Sequence, residues 1–148
     1  MTATTPTPTP TTTGAPIRAL AAAMLVTLFA ELLLGMANTF WLTLPDSGSG
    51  WTKAAPAALL MAHITLGAAL LVFAIWIAVL AWRDHDRVWL VASAHGIAGI
   101  VIAVGAGSAF MSEVSNDGAS YLMAVGSILA IAGYTYGLYR LPTATASA

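Results

Sequence analysis

Four long apolar stretches leave this chain very few ways to fold. They run from Arg18 to Leu44, Ala57 to Trp82, Val88 to Met111 and Ser120 to Tyr139. Each has about the 20 residues that a helix needs to cross the ~30 Å hydrocarbon core of a bilayer. Inside lipid every backbone N–H and C=O must find its partner within the segment, and a helix does that. The chain has 59% hydrophobic and 7% charged residues, and its mean hydropathy is +0.84. It therefore reads as all-α, an integral membrane four-helix bundle, and once four spans are taken from 148 residues no soluble domain of any size remains.

The linkers PDSGSGWTKAAP, RDHDRV and SEVSNDGA are rich in charges and turn formers. The middle one is so short that the second and third spans must form an antiparallel hairpin, which makes the topology up-down-up-down. Arg18, Arg83, Arg87 and Arg140 then gather at one end of the bundle, and Lys53 alone is at the other. The positive-inside rule places both termini in the cytoplasm, with a multi-pass topology in a bacterial cytoplasmic membrane as the expected location. Trp41, Trp51, Trp82, Trp89, Tyr121 and Tyr139 sit near span ends, where interfacial anchors belong. Residues 1–17 are a Thr/Pro-rich tail and 141–148 a second tail, both expected to be disordered.

Small residues mark where helices can approach closely. Gly96, Gly99, Ala103 and Gly107 run along the third span, and Gly126, Gly133 and Gly137 share a face of the fourth, so these two should pack tightly. A faint repeat, LLMAHITL in the second span and YLMAVGSI in the fourth, aligns His63 with Val125.

Ionisable groups inside a span cost ~2.5 to 3.5 kcal/mol at the bilayer centre on insertion scales, so each is a functional candidate. The spans contain Glu31, His63 and His95, whereas His85 belongs to the charged loop RDHDR. Glu31, Gly35 and Asn38 follow i, i+4, i+7, which puts a carboxylate, a gap and an amide on one face that must point inward. His63 with Gly67, and His95 with Gly99, repeat the device of a polar residue one turn before a glycine; such a gap admits a planar cofactor or another helix. A buried polar network of Glu31 and Asn38 with a histidine is one expectation. The other is that His63 and His95 ligate haem iron, although a rise of ~1.5 Å per residue sets the two about 10 Å apart in depth.

Zero cysteines exclude disulfides, iron–sulfur clusters and covalent c-type haem. A net charge of −1 without a basic run gives no footprint for nucleic acid. No hydrolytic triad, nucleotide loop or metal-hydrolase motif is present, so nothing in the sequence argues for an enzyme. Three classes remain: a redox or electron-transfer accessory protein binding haem b, a cofactor-free accessory or assembly subunit built on a polar network, and a small transporter or proton carrier around Glu31. Its partners are expected to be the lipid bilayer and either further copies of itself, as a homo-oligomer, or a larger membrane complex.

The run ELLLGMANTFW, a Pro-containing loop, and APAALLMAHITLGAALLVFAI, which lie within Glu31 to Ile77, resemble a helix pair of the haem A synthase family. There a four-helix half-unit uses histidines to hold haem. The resemblance implies that His63 is the haem-ligand histidine, with His95, a methionine such as Met36 or Met61, or water opposite. The chain has the length of one half-unit and lacks that family's acidic-x-x-His-Arg signature. What the resemblance implies is thus haem binding in a redox accessory protein.

Overall fold

A computed structural model describes residues 14–41, 57–112 and 117–140. They form four helices: α1 Gly14–Trp41, α2 Ala58–Arg83, α3 Arg87–Ser112 and α4 Asp117–Tyr139. All four are long and apolar enough to cross a membrane, and the chain is a multi-pass integral membrane protein. The 26 residues of α2 rise about 39 Å, enough for the hydrocarbon and part of each headgroup layer.

Two helices begin earlier than the sequence reading placed them, α1 at Gly14 instead of Arg18 and α4 at Asp117 instead of Ser120. Gly14 to Ile17, assigned above to the tail, are the first turn of α1. Pro16 is compatible with that position because an N–H in the first turn has no intrahelical acceptor to lose. Ile17 is only 3% exposed, so the core of the bundle begins there. The remainder of both expected tails, and the linkers at 42–56 and 113–116, lie outside the described residues.

Neighbouring helices pack in the order α1, α2, α3, α4 and back to α1, and the backbones of the diagonal pairs do not approach one another. Each hairpin is built on a seam with alternating steps of three and four residues, the spacing that keeps one face of a helix against its neighbour. In α1 the seam is Ile17, Ala21, Met24, Leu28, Glu31, Gly35 and Asn38; in α2 it is Leu60, His63, Gly67, Leu70, Ala74, Ile77 and Ala81. The antiparallel register set by Gly35 against His63 and Gly67 against Glu31 brings Met24 level with Ala74, Ala21 with Ile77 and Leu28 with Leu70.

The most extensive interface is α3 with α4. A Cβ added at Gly99 would overlap the backbone oxygen of Gly126 and lie 2.6 Å from the nitrogen of Ala130, and one at Gly126 would lie 2.8 Å from the nitrogen of Ala103. Backbone meets backbone here, as the small-residue pattern led one to expect. The Leu-Met-Ala repeat does not equate facing positions. It aligns Leu60 with Leu122, whereas the α4 seam runs through Met123 and Gly126, and Val125 faces outward.

Trp41, Trp82, Tyr121 and Tyr139 are exposed at helix ends, as anchors should be. Trp89 is not an anchor. It is fully buried, because Gly137 on α4 leaves a hollow that its ring fills; a Cβ at Gly137 would come within 2.6 Å of the Trp89 ring.

Candidate functional site

Glu31 occupies the α1 seam directly after Leu28, and His63 occupies the α2 seam directly after Leu60. The antiparallel register brings them together, with His63 Nδ1 2.9 Å from Glu31 Oε1. The His63 side chain is 25% exposed and that of Glu31 12%, so the carboxylate is inside the bundle, as its position on the helix face required. Nδ1 is sealed and lies at ion-pair distance without the alignment of a hydrogen bond, and Glu31 Oε2 is buried with no partner. The exposure of the imidazole therefore lies away from Nδ1.

The glycines explain how two polar side chains fit between packed helices. A Cβ at Gly35 would lie 3.1 Å from His63 Cε1, and a Cβ at Gly67 would lie 3.1 Å from Glu31 Oε1. The imidazole of α2 rests in the notch of Gly35 on α1, and the carboxylate of α1 rests in the notch of Gly67 on α2. Each helix thus carries a polar residue and, one turn on, the gap that receives its partner's. The gaps noted in the sequence are filled reciprocally by protein.

Asn38 is buried on the same seam but does not reach Glu31. Seven residues separate them, about 10 Å of helix. Its Nδ2 donates to the Leu34 carbonyl at 3.0 Å and, more weakly, to the Leu59 carbonyl of α2 at 3.4 Å, while Oδ1 has no partner. Asn38 therefore stitches α1 to the α2 backbone independently of the Glu31–His63 couple.

His95 stands apart from both. It is exposed on the outer side of α3, and its Nδ1 lies 2.8 Å from the Val91 carbonyl. A carbonyl can only accept, so Nδ1 carries a proton in this contact. His63 lies twenty residues before the end of α2 and His95 eight residues after the start of α3, which separates them by about 18 Å along the bundle. The structure does not bring the two histidines together. Gly99, one turn beyond His95, is filled by the α4 backbone rather than by a polar side chain. His85 sits in the α2–α3 turn with φ 54 and Nδ1 3.2 Å from the Arg83 carbonyl, as a loop residue would.

The sequence reading missed a second polar cluster. Trp89 Nε1, Ser93 Oγ and Tyr134 Oη are buried without hydrogen-bond partners between α3 and α4. A signal was present: Trp89, Ser93 and Gly96 share one face of α3, and the Tyr134 ring fills the hollow at Gly96. Among the described residues no group of three or more His, Cys, Asp or Glu side chains converges.

Compared with known proteins, the chain matches no family model, no curated protein and no solved structure.

Proposed function

We propose that the protein is a small membrane accessory or assembly subunit that works without a cofactor, and that the Glu31–His63 couple fixes the register of its first hairpin. The observation that carries this reading is the reciprocal fit: each polar side chain occupies the glycine notch opposite, leaving neither notch for a planar ring. A polar pair seated in opposed glycine notches favours this register, since a slip of one turn would carry each side chain out of the notch that receives it. The test is a double-mutant cycle with Glu31→Leu and His63→Leu, each of which removes the interaction, read by thermal unfolding in detergent. A coupling of about 0.6 to 1.7 kcal/mol is expected. Strict additivity would defeat the proposal.

One observation favours a second reading, in which His63 holds haem b. A carboxylate set against Nδ1 is the usual way of orienting an imidazole whose Nε2 binds a metal, and it raises the basicity of that nitrogen. In this reading His63 is the single protein ligand from this seam, and His95 does not share the same iron. Purified protein, expressed with added haem precursor, would show a Soret band that sharpens on dithionite reduction and disappears in His63→Ala. A spectrum without that band favours the accessory subunit.

A further inference from the structure

The outer faces of α2 and α3 meet in a groove beside the turn that joins them. Its volume is about 210 Å³; Ile75, Ala78, Val79 and Trp82 of α2 and Leu90 of α3 line it, and Arg83 lies at its turn end. Ile75, Val79 and Trp82 recur at i, i+4, i+7, so a single outward stripe of α2 makes the long wall. From Ile75 to Arg83 the helix rises about 12 Å, apolar throughout and then cationic.

Arg83 is exposed, and among the described residues neither a carboxylate nor an aromatic ring pairs with it. The neighbouring acids do not take that place. Asp86 uses Oδ1 to accept from the N–H groups of Val88 and Trp89 at the start of α3, and among the described residues no ion pair joins the exposed Asp84 carboxylate to Arg83. Trp82, 73% exposed, marks the headgroup level at the same end.

We propose that this groove binds an anionic phospholipid, with an acyl chain along Ile75, Val79 and Leu90 and the phosphate against the Arg83 guanidinium. An apolar wall that runs about 12 Å along the helix and ends in an unpaired cation matches that molecule's order of parts. A guanidinium binds phosphate through two parallel N–H donors, and basic pockets between membrane helices select anionic headgroups. The inference rests on the membrane location alone and is independent of what Glu31 and His63 do.

The test titrates the full chain in mild detergent with phosphatidylglycerol or with phosphatidylcholine of the same acyl chains, and counts retained lipid by native mass spectrometry. Phosphatidylglycerol should be held about fivefold more tightly, the worth of one basic side chain near a charged headgroup. Arg83→Gln should erase that preference. Arg140→Gln, at the same end of the bundle, should leave it intact. Ala78→Trp, which fills the groove, should lower retention of both lipids with the helical circular dichroism unchanged; if this variant does not fold, Arg83→Gln on the exposed surface still decides. Equal retention of the two lipids, a preference that survives Arg83→Gln, or an equal loss in Arg140→Gln would overturn the proposal.

Discussion

At the scale of single residues, the opposed notches make Glu31 and His63 unequal to their substitutes. Glu31→Gln keeps the length and an oxygen facing Nδ1, so it should fold normally. Glu31→Leu leaves the sealed Nδ1 of His63 against carbon and should cost about 1 to 2 kcal/mol. Thermal unfolding of the two variants in one detergent measures the difference, and equal melting would mean that the couple contributes no stability. His85 offers a test of the opposite sign. Its left-handed backbone, φ 54, is strained for a residue with a Cβ, so His85→Gly should stabilise by up to about 1 kcal/mol and His85→Val should destabilise. The carboxylate was legible in the sequence as inward-facing, because Glu31, Gly35 and Asn38 share a face. Which histidine it meets was not legible, since that depends on the offset between α1 and α2, which no local pattern sets.

At the scale of elements, the same residue type does different work on different helices. At Gly35 a new Cβ would meet the end of an imidazole ring, which can move by tenths of an ångström, whereas at Gly99 it would meet the α4 backbone. Gly105 has open space around it. Gly99→Ala should therefore cost about 1 to 3 kcal/mol by forcing the helices apart, Gly35→Ala should cost less, and Gly105→Ala should be neutral or gain up to ~1 kcal/mol of helix propensity. Unfolding midpoints of the three alanine variants give the order, and a Gly99→Ala variant as stable as Gly105→Ala would contradict the close approach. Tight packing of α3 on α4 could be read from glycine spacing. The burial of Trp89 could not, because proximity to a span end marks interfacial and core tryptophans alike, and only Gly137 on the facing helix separates the two cases.

At the scale of the whole molecule, the helix ends bring Arg18, Arg83, Arg87 and Arg140 to one side of the bundle. The positive-inside rule predicts that this side faces the cytoplasm. Reporter fusions at Gly48 and Asn116 should read external and one at Asp86 internal; an external signal from Asp86 would reverse the orientation. The sequence by itself determined that there are four helices, and which residues could not face lipid without cost. Those properties follow from segment length, hydropathy and the 3.6-residue period, all of which act within one helix. Only the tertiary structure decided that Glu31 pairs with His63, that His95 stays outside about 18 Å away along the bundle, and that Asn38 serves the α2 backbone instead of the carboxylate. Those outcomes depend on register and rotation between helices, which are set by how the side chains of two surfaces fill one another's gaps.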